Sequence, residues 1–480
     1  MGRSHAPPAV RRGFAPPVPM VAAAPVQFGF GSSNVSPMVS FGALLATLYV
    51  FFTYSRTLEF FPIKAGPLSL TVALNLSVLA MGVLSGGLGQ LLRSKIAMPL
   101  FLLTGWMLLG IPFSSWKGGS VDSLLHQWLP VFLGFIGVSS LVHSLTSARR
   151  MMYALGFASV AILVFSRVFG SLDANSRITA ANRGTLGNTN DLAMLLLLGL
   201  PGVVLYIQES QGLRRMLSFV LTGALLMMLG VVAQTGSRGG LIITAIYAFM
   251  LVFSASALRR AVLLIAVVVG TIVFFSTAPA STLARYRTIL PFLSAGDLSA
   301  ADAEQMALLE GSAAGSTLER LGLLQMSVDL TLSHPVFGVG VGTFSSAAAA
   351  VSKESNQRAS WHDVHNSYMQ IASECGIPAL IAYLAAFVGC LRSLGWVRKR
   401  TRDNPQCLSL FRMANCMYAT FICAAVAAFF SPIAYVPAVI FVAAIIDGFH
   451  RVARNLIENV EPVVVPRFIP RAGPRPAVAR

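Results

Sequence analysis

The chain has 480 residues, of which 55% are hydrophobic and only 11% charged, and its mean hydropathy is +0.72. A soluble chain of this length could not hide so much apolar surface in one core, so an ordinary globular protein is excluded and lipid becomes part of the solvent. A net charge of +17 raises the question of nucleic acid, and the answer depends on where Lys and Arg stand between the apolar runs.

In chain order, residues 1–35 (MGRSHAPPAVRRGF…) are Pro-rich and basic and lack a continuous apolar stretch with a cleavage site. They read as a disordered cytoplasmic tail and not as a signal peptide. A hydrocarbon core about 30 Å thick needs about 20 apolar residues per helix. Runs near that length occur at 36–53, 67–85, 96–112, 125–143, 150–168, 189–207, 216–233, 240–256, 261–278, 377–396, 413–430 and 434–450. The expectation is an all-α, polytopic integral membrane protein of about twelve transmembrane helices: a nine-helix region over 36–278, a large extracytoplasmic loop over 279–376 containing short helices, a three-helix region over 377–450, and a basic cytoplasmic tail over 451–480.

Lys and Arg flanking short loops resist translocation, which orients the bundle. With the N-terminus inside, 23 of the 35 cations fall on the inner side, including Arg149 and Arg150, Arg214 and Arg215, Arg259 and Arg260, and the cluster Arg398, Lys399 and Arg400. Residues 279–370 hold five cations against eight acids. The basicity is therefore topological, both termini face the cytoplasm, and nucleic acid is not implied. The spans are nearly free of the mid-helix ionisable groups that ion-coupled transporters use, with Asp191 and Asp447 near helix ends and Arg167 near an outer end. The five cysteines (375, 390, 407, 416 and 423) match no metal spacing and read as small buried hydrophobes.

Polar and Gly-rich stretches gather instead at the outer face: RITAANRGTLGNTND (177–191), QTGSRGG (234–240), the long loop, and WHDVHNSY (361–368). Arg183 and Arg238 are cations in short outer loops, where the orientation rule expects few. They either snorkel at the interface or hold a phosphate, which a planar guanidinium grips in bidentate fashion. Gly184, Gly187, Gly239 and Gly240 would let an anionic head group reach the backbone. Arg320 lies where Leu321, Leu324, Val328 and Leu332 recur near helical spacing, with Ser316 or Thr317 placed to cap an amphipathic helix. Its plainer reading is a surface charge beside Glu319. The GVGVG at 338–342 lacks the setting of a nucleotide fingerprint and reads as a tight loop, with His334 shaping a turn before it.

His362 and His365 precede MQIASECGIPAL, with Asp363 a plausible helix cap and Pro378 marking where the membrane part resumes. In the first turn of a helix, His365 would be held neutral by the positive end of the dipole and so be able to accept a proton. The alternative is a histidine that merely bonds at the interface. Zinc is disfavoured because no third ligand stands at a usual spacing.

In their order and separation, SRGG at 237–240, ERLGLLQMSVDLTLSHPVFGVGVGTF at 319–344 and HNSYMQIASECGIPAL at 365–380 resemble the O-antigen ligase/polymerase superfamily of bacterial envelope enzymes. The likeness is clearest over residues 180–390. It implies a metal-independent glycosyltransferase without cofactor in the bacterial inner membrane. The donor would be a polyprenyl-pyrophosphate-linked oligosaccharide and the acceptor a glycolipid or glycan hydroxyl. It also implies that Arg238 and Arg320 hold the pyrophosphate, that His365 activates the acceptor, and that Arg183, with Asn188, Asn190 and His362, belongs to the substrate site. Ligase and polymerase remain open, and a lipid-linked glycan exporter is the rival outside the enzyme class; it would call for an internal repeat or broken, charged helices, and neither is found.

Overall fold

The computed structural model describes residues 36–65, 68–172, 177–180, 185–277, 282–283, 286, 300–354 and 363–458. Its principal helices are α1 (Pro37–Ser55), α2 (Leu70–Leu84), α3 (Ala97–Gly110), α4 (Lys117–Leu141), α5 (Leu145–Val168), α6 (Thr189–Glu209), α7 (Arg214–Gln234) and α8 (Arg238–Ser254). They continue with α9 (Ala257–Thr277), α10 (Ala300–Ser333), α11 (Phe344–Glu354), α12 (Ser367–Cys375), α13 (Ile377–Thr401), α14 (Leu408–Ala427) and α15 (Pro437–Glu458). Among the described residues the only sheets are two-residue antiparallel pairs, Lys64–Ala65 with Leu68–Ser69 and Ser171–Leu172 with Ile178–Thr179.

Each expected apolar run contains a helix. Seven helices are long and apolar enough to cross a membrane, namely α1, α4, α5, α6, α7, α13 and the Pro405–Ala427 segment that contains α14. Length sets α2, α3 and α8 apart from these, and charge sets α15 apart, since it carries Asp447, Arg451, Arg454 and Glu458. The expected inner tail is helical as far as Glu458, and Asp447 lies in the middle of α15 rather than near its end.

Several polar side chains inside the bundle find partners, which lowers the cost of their burial. Tyr54 donates to the Leu195 carbonyl at 2.7 Å, Trp128 Nε1 to Thr104 Oγ1 at 2.9 Å, and Asn75 Nδ2 to the Pro130 carbonyl at 2.8 Å. Small residues let α5 and α6 approach closely: a Cβ on Gly199 would meet Ser159 Oγ at 1.8 Å. Four of the five cysteines are buried and all are unbridged, as expected of small hydrophobes.

Hydrogen bonds distinguish the two ends of the bundle. At one end Asp447 accepts from Ser94, Ser139 and Arg451, while Arg149 pairs with Glu209 at 3.0 Å and donates to Ser409 at 2.6 Å. At the other end the chain between α9 and α13 builds its own layer. Leu323 and Leu330 of α10, Val339, Phe344, Ala347 and Ala348 around α11, and Val364 form a small separate core. Residues 334–343 lie over the turn between α3 and α4, where Ser115 N donates to the Val339 carbonyl and Trp106 Nε1 to the Val336 carbonyl. GVGVG forms a tight loop, with φ of 67°, 118° and 66° at its three glycines. A Cβ on Gly340 would sit 2.1 Å from Ser114 Oγ.

On α10 the buried stripe is Leu323, Ser327, Leu330 and Thr331, whereas Leu321 and Leu332 of the expected face are exposed. Helix α10 begins at Ala300, so Ser316 and Thr317 are interior positions and not caps.

Candidate functional site

The site is assembled at the end of the bundle that carries the α10–α12 layer. Gly236, at φ 59°, turns the chain out of α7, and Ser237 caps α8 by accepting from Gly240 N at 3.2 Å. This places Arg238 at the first position of α8, beside backbone N–H groups that have no partner within the helix. A helix start of this kind favours negative charge. Arg238 Nη1 donates to Thr317 Oγ1 at 2.7 Å. Thr317 stands one turn before Arg320 on α10, so the bond draws together two arginines separated by 82 positions in the chain.

Burial, then the Arg238 and Arg177 guanidinium groups, press Arg320 down from its ordinary value, while Glu319 and Asp191 oppose them. A cation pressed down by its neighbours in this way lies closer to them than charge favours, an arrangement that a bound anion relieves. Arg177 was not among the residues singled out from sequence. It immediately precedes the Ile178–Thr179 strand, and Ala180 N donates to the Leu186 carbonyl, carrying this hairpin to the start of α6. The signal was present in RITAANRGT, where two arginines share one stretch, but the glycine beside Arg183 favoured that residue. Arg183 lies outside the described residues. Asn188 caps α6, its Oδ1 accepting from Asn190 N at 2.9 Å, so that side-chain oxygen is already engaged. Asp191 follows in the first turn, electrostatically coupled to Arg56 and Arg320. Arg56 closes α1 at φ 56° and pairs with Glu59 at 2.8 Å.

His365 is not in the first turn of α12, and Asp363 is not its cap. Asn366 is the cap, accepting from Tyr368 N at 3.0 Å and Met369 N at 3.1 Å, and His365 is the residue before it. Its φ of 44° is left-handed, a conformation that costs about 1 kcal/mol in most residues and for which histidine is enriched. The cap and the bonds made by Ser367 fix the backbone there. His362 lies outside the described residues.

Histidine and arginines are linked through the turn after α14. Ser367 N donates to the Ala428 carbonyl at 2.7 Å, and Phe430 packs over Gly239, where an added Cβ would meet its Cβ and Cγ at 2.9 Å. Gly240 packs on Ala193 of α6 in the same way, at 3.2 Å. The starts of α6, α8 and α12 and the middle of α10 therefore converge. Among the described residues no group of three or more His, Cys, Asp and Glu side chains gathers into a metal-binding arrangement.

Residues 223–384 match the family model described as O-Antigen ligase, a span that begins within α7, ends within α13 and contains Arg238, Arg320 and His365. No curated protein matches the chain.

Proposed function

We propose that this chain, whose residues 223–384 match the O-antigen ligase family model, transfers a glycan from a polyprenyl-pyrophosphate-linked donor to an acceptor hydroxyl at the outer face of the bacterial inner membrane. The observation that carries this reading is the convergence of Arg238 and Arg320, through Thr317, on the end of the bundle where the His365 turn is fastened. A diphosphate leaves a sugar readily only when its growing charge is met by preorganised positive groups, and guanidinium groups at a helix start supply them. Arg183, Arg238 and Arg320 bind the diphosphate, while Asn188, Asn190 and His362 contact the glycan.

Attack by a hydroxyl also needs a proton acceptor. In this mechanism His365 removes the acceptor's proton as its oxygen bonds to the anomeric carbon and the diphosphate departs with the C–O electron pair, a contribution of about 10²–10⁴-fold. The mechanism requires no metal, since the arginines take the place of the cation.

The apolar runs support about twelve spans, and the distribution of Lys and Arg supports both termini in the cytoplasm. Ligase and polymerase differ only in the acceptor, so identifying the product formed by reconstituted protein separates them. His365→Ala should abolish transfer while leaving undecaprenyl pyrophosphate bound, and Arg238→Ala should weaken that binding. Wild-type transfer by the His365→Ala protein would falsify the assignment.

A further inference from the structure

Both ends of the short helix α12 are fastened to one connection, residues 428–435, between α14 and α15. At its start, besides the Ser367 N bond, Ser367 Oγ donates to the Ser431 carbonyl at 2.7 Å and accepts from Ile433 N at 2.8 Å. At its finish Tyr435 OH donates to Glu374 Oε2 at 2.6 Å. Glu374 is 1% exposed, and its carboxylate also accepts from Gly342 N at 2.9 Å and Phe344 N at 3.3 Å. The carbonyls of Ser373 and Glu374 accept from Val339 N and Gly340 N, each at 2.9 Å. One buried carboxylate thus ties α12 to the GVGVG loop, to the start of α11 and to the 428–435 connection. The same connection reaches the arginine side through Phe430 on Gly239, next to Arg238.

If α12 needed only to be packed, an apolar side chain would do it without the desolvation that a buried carboxylate incurs. What the carboxylate adds is direction, since it takes three donors from two separate segments, 342–344 and the 428–435 connection, and fixes where each must stand. We propose that Glu374 is a positioning residue: with Tyr435 it locks α12, and with it His365, onto the connection that also seats Arg238, holding the base at a set separation from the diphosphate site. This inference rests on the reading of His365 as the base.

The test uses full-length protein in proteoliposomes charged with lipid-linked glycans extracted from its host. It compares wild type, Glu374→Gln, Tyr435→Phe, the double variant and His365→Ala. A displacement of about 1 Å at a reacting group costs on the order of 10²-fold in rate. Tyr435→Phe and Glu374→Gln should therefore lower turnover by about tenfold or more while undecaprenyl pyrophosphate binds within about twofold of wild type. The double variant should be no slower than the slower single variant, because both remove the same bond. Should Glu374→Gln fail to fold, Tyr435→Phe alone carries the comparison. Wild-type turnover in Tyr435→Phe with a dead His365→Ala protein overturns the positioning role and leaves the base intact, and so does loss of binding and thermal stability together with turnover. An active His365→Ala protein overturns both.

Discussion

Gly239→Ala tests the architecture at its narrowest point. Gly239 is the second residue of α8, where alanine would ordinarily stabilise a helix by about 0.5–1 kcal/mol over glycine. Here the new methyl would lie 2.9 Å from both Cβ and Cγ of Phe430 and 3.2 Å from its Cδ2, too close for either side to remain in place. Phe430 has little room to retreat, because its N donates to the Ala427 carbonyl and the flanking Ala428 and Ser431 carbonyls bind Ser367. Overpacking of this kind costs about 1–3 kcal/mol, so the expected net effect is a loss of up to about 2 kcal/mol. The strain falls between Arg238 and the seat of His365, so turnover should drop by about tenfold even in protein that stays folded. Gly223→Ala in α7, where an added Cβ meets nothing within 4 Å, serves as the internal control and should be neutral or mildly stabilising. Thermal unfolding in detergent and transfer in proteoliposomes are measured on both variants. Wild-type stability and turnover in Gly239→Ala would refute the contact and, with it, the route linking arginine to histidine.

Arg238→Lys keeps the charge but loses the planar fork, so undecaprenyl pyrophosphate should bind about tenfold more weakly, and unchanged affinity in a titration would remove Arg238 from the diphosphate site. Thr317→Val deletes one neutral partner of that guanidinium, worth about 1 kcal/mol, and should weaken the same binding about fivefold with little change in melting temperature. At the opposite end, Asp447→Ala leaves Arg451 without its partner among Ser94 and Ser139 and should destabilise the protein by about 3 kcal/mol, while the fraction that survives solubilisation binds donor normally. Burial raises the Glu374 carboxyl to about 7 from 4.5, with Asp363 adding to the rise and Tyr435, Gly342 and Phe344 resisting it, so between those values the folded chain binds more proton than the unfolded one. Its contribution to stability is therefore complete below about pH 4.5 and is lost as pH rises to about 7, by about 3 kcal/mol at about 1.4 kcal/mol per pH unit. Melting curves from pH 5 to 8 should show that slope in wild type and lack it in Glu374→Gln; an identical slope in both would assign the titration elsewhere.

Hydropathy made the helices readable, because a bilayer demands long apolar runs with internally satisfied backbones, and every such run contains a helix. Periodicity was a poorer guide in α10. Leu321 and Leu332 follow the helical repeat and yet are exposed, while Ser327 and Thr331 are buried. In a membrane protein apolar residues suit the lipid side as well as the core, so the apolar stripe does not reveal which face is turned inward. The cap of α12 was misjudged for a local reason: Asp363 and Asn366 can both accept from a helix start, and only the left-handed turn at His365 decides for Asn366.

The residues proposed to carry the chemistry were nominated because arginine beside glycine, in a segment read as an outer loop, departs from the rule that keeps cations inside. What could not be read is which segments would bring them together. Arg177 acts on Arg320 across 143 positions of chain, and Phe430, an unremarked aromatic after an apolar run, packs on Gly239 beside Arg238. No periodicity or motif encodes such contacts; they exist only once α6, α8, α12 and the 428–435 connection have packed. The same holds for Glu374, which in sequence is one acid within IASECGIPAL and in the fold is the point where three backbone or hydroxyl donors meet. Cations and a base can be nominated from their chemistry alone, whereas the groups that hold them in register are ordinary residues whose role depends on what faces them.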